Sequence, residues 1–124
     1  MANELILIVE DNEKNLKLVR DTLTVRGYRT IEATTGEEGI RLAQRERPAL
    51  ILMDIQLPGI DGITALGRLR ADDATRTIPV IAVTASVMTE DQKKIMAAGF
   101  DGYQGKPISV KELLATVERL LRRS

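Results

Sequence analysis

Two carboxylates, Glu10 and Asp11, stand side by side directly after the apolar run LILIV at residues 5–9. A third, Asp54, follows ALILM; a hydroxyl, Thr84, follows VIAV; and an ammonium, Lys106, follows the weaker run GYQG at residues 102–105. Adjacent like charges at the mouth of a buried segment repel. Three carboxylates drawn together repel strongly unless a cation sits among them or a proton neutralises one. A hard divalent ion with oxygen ligands resolves the conflict. Mg²⁺ is the natural candidate, with Mn²⁺ as a substitute, since it takes few protein carboxylates, retains waters and usually shares a phosphate.

Each residue alone has a plainer explanation. Asp54 could be a turn former after a strand, and Glu10–Asp11 a solvated cap of a helix. Thr84 could end a strand or cap a helix, and Lys106 could be an ordinary surface lysine. Only joint placement separates a site from five unrelated polar residues, so the elements that carry them decide the matter.

Five short apolar runs recur, at residues 5–9, 28–33, 49–53, 80–83 and, more weakly, 102–105. Three are continuous rather than alternating, as in strands buried on both faces of a parallel sheet. Between them the spacing turns helical. Leu16, Val19 and Leu23 form one stripe; Ile63, Leu66 and Leu69 another; Val110, Leu113, Leu114, Val117, Leu120 and Leu121 the clearest. Thr35 with Glu38, Thr89 with Gln92, and Ser109 with Glu112 each fit a capping box, Asp61 an N-cap, and Gly27 and Gly99 helix ends. The segment 88–98 has the weakest stripe. Strand–helix alternation repeated five times predicts an α/β fold, an open parallel sheet with helices on both faces. Ligands of such sheets bind beyond the carboxyl ends of the strands. With strand order 2-1-3-4-5 the first, third, fourth and fifth strands are adjacent, and Glu10, Asp11, Asp54, Thr84 and Lys106 converge on one edge.

Composition narrows the partners. A chain of 124 residues fits one domain with a single sizeable core. Lys plus Arg equals Asp plus Glu at 18 each, so bulk charge favours neither nucleic acid nor an acidic membrane. Tyr28, Phe100 and Tyr103 are the only aromatics, too few for a base-stacking platform. There is no Cys, which excludes disulfides and thiolate metal sites and fits a reducing cytoplasm. No apolar run is long enough to span a bilayer, and MANE does not open like a signal peptide.

In its motifs LILIVEDN, LILMDIQLPGIDG, VIAVTA and GYQGKPIS, in this order and spacing, the chain resembles the receiver domain of two-component response regulators across nearly its whole length. The resemblance implies a flavodoxin-like, doubly wound (βα)5 three-layer sandwich. It matches Asp54 to the phosphoacceptor, and Glu10 and Asp11, with Asp54 and the backbone carbonyl of Gln56, to the Mg²⁺ ligands. Thr84 matches the hydroxyl that shifts toward the phosphoryl group, Lys106 the lysine that pairs with it, and Tyr103 the switch aromatic. The bond from Lys106 to Pro107 is expected to be cis. Gln56 and Ser86 occupy positions that tune the lifetime of the phosphorylated state. The implied partners are a histidine kinase or histidine phosphotransfer protein, docking near Asn15, Leu16, Val19 and Pro107–Ile108, and a downstream protein target. The implied protein is a cytoplasmic monomer or weak dimer of one domain, residues 1–124, without an output domain, and a signalling phosphoacceptor rather than an enzyme. Two other readings stay open at this point: a receiver-like module that binds partners without being phosphorylated, and a small flavodoxin-like binder or phosphohydrolase.

Overall fold

In a strand buried on both faces, alternate residues feed two separate cores, and the central strands here do so. The computed structural model describes residues 3–85 and 89–123, with the backbone alone at Thr89, Asp91 and Arg123. Its elements run β1 (Leu5–Val9), α1 (Glu13–Val25), β2 (Arg29–Ala33), α2 (Gly36–Glu46), β3 (Leu50–Asp54), α3 (Gly62–Arg70), β4 (Val80–Thr84), α4 (Thr89–Ala97), β5 (Gly102–Gly105) and α5 (Val110–Arg123). Every strand pairing is parallel and the order is β2-β1-β3-β4-β5. Ile6, Ile8, Leu50, Leu52, Ile81 and Val83 point to one face and pack against α1 and α5. Leu7, Val9, Ile51, Met53, Val80 and Ala82 point to the other and pack against α2, α3 and α4. The result is the expected flavodoxin-like three-layer sandwich, with the chain reversing its direction of travel between β1 and β3.

The helices begin and end largely where capping chemistry requires. Asp61 Oδ1 accepts from Thr64 N at 2.7 Å, and Ser109 Oγ accepts from Glu112 N at 3.3 Å. Thr35 Oγ1 accepts from Glu38 N at 3.1 Å, but the Glu38 carboxylate reaches back to Thr34 N, one residue further out than a standard box. The cap of α1 is Asn12, whose side chain accepts from Asn15 N, rather than the preceding acid pair. Gly27 and Gly99 both end helices at positive φ, 91° and 110°, which costs glycine little. The Thr89 side chain lies outside what is described.

Two stripes are narrower than the spacing predicts. Ile63 and Val110 are exposed, because each sits in the first turn of its helix, where the chain is still turning away from the sheet. Asp54 and Thr84 are the last residues of β3 and β4 instead of the first residues beyond them. Among the described side chains of α4 only Ile95 is buried. Burying one such side chain contributes about 1.5–3 kcal/mol, so α4 is lightly held compared with α5.

Glycine positions the loop after β3. Gly62 donates to Ile55 O at 2.9 Å and lies so close to β3 that a Cβ there would stand 2.7 Å from Asp54 O and 2.8 Å from Ile55 Cα. Gly67, in the interior of the same helix, has nothing within 4 Å of that position. Substituting alanine at the two sites has opposite expected outcomes. Gly62→Ala should lower the free energy of unfolding in urea by about 1–3 kcal/mol through backbone overpacking. Gly67→Ala should raise it by up to about 1 kcal/mol through helix propensity. Equal shifts in both variants would refute this packing account.

Candidate functional site

The register of the sheet brings the polar residues together. Val9 is paired with Met53, Asp54 with Val83, and Thr84 with Gly105, so the carboxyl ends of β1, β3, β4 and β5 lie side by side. Glu10 follows β1 immediately and is fixed by its own N–H donating to Ala33 O at 3.0 Å. Lys106 follows β5, and its N–H donates to Thr84 O at 2.8 Å. Glu10, Asp11 and Asp54 each offer a carboxylate oxygen, and these oxygens all lie within 4.8 Å of one another. Glu10 and Asp54 are buried at 3% exposure each, whereas Asp11 is exposed. A cluster of oxygen donors open to solvent on one side and buried on the other can hold a divalent cation, and hard carboxylates suit Mg²⁺ or Mn²⁺ rather than a soft metal.

Lys106 reaches both buried acids, with Nζ 2.9 Å from Asp54 Oδ2 and 3.4 Å from Glu10 Oε1. The second oxygen of Asp54, Oδ1, accepts from Gln56 N at 2.9 Å. Glu10 Oε2 accepts from Asn12 N at 3.2 Å. Asp54 is thus held through both oxygens, one by an ammonium and one by a backbone N–H.

The crowding leaves an electrostatic signature. Glu10 has its pKa pushed up to about 7, first by burial and then by its hydrogen bond to Asp54 and that residue's charge. The Asn12 N–H and the Lys106 charge oppose the rise without cancelling it. For Lys106, burial disfavours the ammonium, but the hydrogen bond and charge of Asp54, with those of Glu10, outweigh it and raise the pKa. Within the protein the repulsion is thus eased by the Lys106 ammonium and by a Glu10 carboxyl that ionises less readily than usual.

The remaining predicted residues fall around this centre. Thr84 is buried at the end of β4, beside Asp54 across one strand pairing. Tyr103 is half-buried on β5, packs against the core beneath α3 and α4, and its hydroxyl accepts from Gln92 Nε2 on α4 at 3.1 Å. Lys106–Pro107 is cis. Gln56 follows Asp54 by two residues in the loop closed by Gly62; Ser86 lies outside the described residues. One partner escaped sequence reasoning. Gln92 reads in sequence as a capping residue three positions after Thr89, and no spacing rule links it to a strand ten residues on. Lys106 meets Glu10 at the edge because β1 and β5 lie either side of β3 and β4, whose ends the lysine spans. No helix among the described residues is long and apolar enough to cross a membrane.

The family model for the response regulator receiver domain matches residues 6–118. The polar-differentiation response regulator DivK of Brucella anthropi is 47% identical over 116 residues, covering 94% of each chain. A crystal structure of a putative response regulator from Chloroflexus aurantiacus superposes with a TM-score of 0.92 at 30% identity, over 97% of this chain and 98% of that one. The receiver domain of a sensor histidine kinase from Pseudomonas aeruginosa, solved with a magnesium ion coordinated in its active-site cleft, gives a TM-score of 0.89 at 36% identity over the same shares. A parallel β2-β1-β3-β4-β5 sheet, an acidic cluster at the ends of β1 and β3, and a lysine bridging that cluster from β5 all accord with these matches: the chain belongs to the response regulator receiver domain family.

Proposed function

We propose that this chain is a single receiver domain that accepts a phosphoryl group on Asp54 from a phosphohistidine of a histidine kinase or histidine phosphotransfer protein in the cytoplasm. The observation that carries the proposal is the Asp54 carboxylate, held by Lys106 and the Gln56 N–H within reach of two further acids. An Asp54 oxygen attacks phosphorus, an aspartyl phosphate bond forms, and the bond to the imidazole nitrogen breaks, its electron pair staying on nitrogen. Such transfers ask little covalent work of a protein, so positioning and charge stabilisation dominate. Gln56 N–H and Lys106 hold the carboxylate in one orientation. Lys106 and the Thr84 hydroxyl are the donors available to the phosphoryl oxygens. Glu10, Asp11 and Asp54, with the Gln56 carbonyl, would hold Mg²⁺, which would supply neutralising charge to those oxygens when bound.

Output follows from a change of partners. A phosphoryl group on Asp54 adds negative charge and acceptor oxygens next to Thr84. Thr84 turning toward it changes the space on the β4 side, and Tyr103, tethered to α4 through Gln92, carries that change to the lightly held α4. The shift is as large as the difference in interaction energy between the two arrangements, and no larger. The α4–β5–α5 side is then the surface presented to a downstream protein.

Three outcomes are expected. Incubated with Mg²⁺ and a small-molecule phosphodonor, wild type should gain the mass of one phosphoryl group and Asp54→Asn none. An adduct on both, or turnover of donor with no adduct, would overturn the assignment. Tyr103→Ala should take up phosphate like wild type yet lose the dependence of target binding on phosphorylation; retained dependence would contradict the coupling. The third outcome concerns Glu10 in buffer with divalent ions chelated. Its folded pKa of about 7 lies above the unfolded value near 4.5, so the native state binds the extra proton between those limits and stability falls as pH rises through them. The loss is on the order of 3 kcal/mol. Glu10→Gln, which mimics the protonated form, should therefore unfold at a higher temperature than wild type at about pH 8, with little difference below the unfolded pKa. A variant no more stable at the higher pH would show that Glu10 is not strained by ionisation.

A further inference from the structure

α2 begins with two glycines in its first four residues, Gly36 and Gly39, although glycine is a poor helix former. Both are buried, and both lie where another element comes too close for a side chain. A Cβ at Gly39 would stand 2.8 Å from Val9 Cγ2, so α2 is seated directly on β1, a strand paired on both sides. A Cβ at Gly36 would stand 2.7 Å from Ile60 Cγ1, 3.2 Å from its Cδ1 and 3.1 Å from its backbone oxygen. The next residue repeats the approach: a Cβ at Gly59, at φ 78°, would lie 3.0 Å from both carboxylate oxygens of Glu37. Gly59 and Ile60 thus rest on Glu37 and Gly36, in the first turn of α2.

The residues so supported belong to the loop that leaves Asp54. Its two ends are fixed by hydrogen bonds: Gln56 N–H donates to Asp54 Oδ1 at 2.9 Å, and Gly62 N–H to Ile55 O at 2.9 Å. Between them, residues 57–60 form no hydrogen bond among the described residues. Packing holds this stretch instead: Leu57 is buried in the core shared by α2, α3 and α4, and Ile60 packs against that core. The Gln56 carbonyl accepts no hydrogen bond among the described residues either, so its direction follows the course of the loop.

We propose that Gly36 is a positioning residue for the divalent-cation site. By admitting Ile60 against the first turn of α2, it fixes the course of residues 57–60 and so the direction of the Gln56 carbonyl. The inference rests on the reading that Glu10, Asp11, Asp54 and that carbonyl hold Mg²⁺. The three atoms nearest a Cβ at Gly36 all belong to Ile60, so its effect on a cation runs through the loop. A side chain at 36 would push Ile60 outward, because α2, seated on β1 through Gly39, cannot retreat. Mg²⁺ demands near-ideal octahedral geometry at short distances, which makes its affinity sensitive to a small displacement of one ligand.

The test uses the full chain and two readouts independent of phosphorylation. Calorimetric titration with Mg²⁺ measures affinity, and broadening of amide signals by Mn²⁺ locates the ion. Gly36→Ala should weaken Mg²⁺ binding by at least about tenfold, and Ile60→Ala, which empties the same contact, should weaken it too. Combined, the two substitutions should bind within about threefold of wild type, since the new methyl takes the room that Ile60 Cγ1 and Cδ1 vacate. Val117→Ala lies in the opposite core. It should lower the unfolding temperature yet leave Mg²⁺ affinity unchanged, which separates positioning from stability. Wild-type affinity in Gly36→Ala, or no recovery in the double variant, would overturn the assignment. So would a loss of affinity in Val117→Ala as large as that in Gly36→Ala. A wild type whose signals at residues 9–11 and 54–56 are not broadened by Mn²⁺ would instead overturn the cation site itself, and the positioning role with it.

Discussion

The buried acid pair Glu10–Asp54 is the constraint around which the rest of the protein is arranged. Two carboxylates cannot both stay ionised in contact inside a folded chain without a compensating charge, and removing such a charge from a buried site costs several kcal/mol. Lys106 supplies it, 2.9 Å from one acid and 3.4 Å from the other. Burial and the neighbouring Asp54 outweigh it, and the pKa of Glu10 is pushed up to about 7. A cluster of three carboxylates open to solvent through Asp11 can coordinate a divalent cation.

Beyond the Lys106 ammonium, what fixes this pair is backbone. β1, β3 and β4 are paired on both sides and buried on both faces, so their ends are among the least mobile points of the fold. Glu10 is pinned by a main-chain bond to Ala33, Lys106 by one to Thr84, and Asp54 by the N–H of Gln56. Even the loop that follows Asp54 is closed by Gly62 lying directly on the end of β3. Against this rigid edge α4 stands out, tied to the core at Ile95 and to Tyr103 through Gln92. A stiff site beside a lightly held element suits a protein in which a change at one residue is read at a surface.

Much of this was legible in the residues themselves. Continuous runs such as LILM and VIAV leave no polar face and, at this length, read as interior strands, and the βα alternation then restricts the topology to few choices. The five site residues were visible because each closes an apolar run. The misses have one cause. Ile63 and Val110 match the helical period yet face solvent, since period specifies which residues share a side but not where the sheet ends. Gln92 was read as a local cap because local spacing is all a linear pattern holds; its bond to Tyr103 joins two elements whose distance is set by packing.

The order of residues along the chain settled which groups meet at the edge, because strand direction is uniform in a parallel sheet and every βα junction lands on the same side. It also settled that the repulsion among them demanded a cation or a proton. Tertiary structure alone decided how that demand is met in the folded chain: Lys106 lying between Glu10 and Asp54, Asp11 left in solvent, and the pKa of Glu10 pushed up to about 7. Those outcomes depend on distances of a few ångströms and on burial from water. Both are properties of how four strand ends and their loops pack together, and no single segment encodes them.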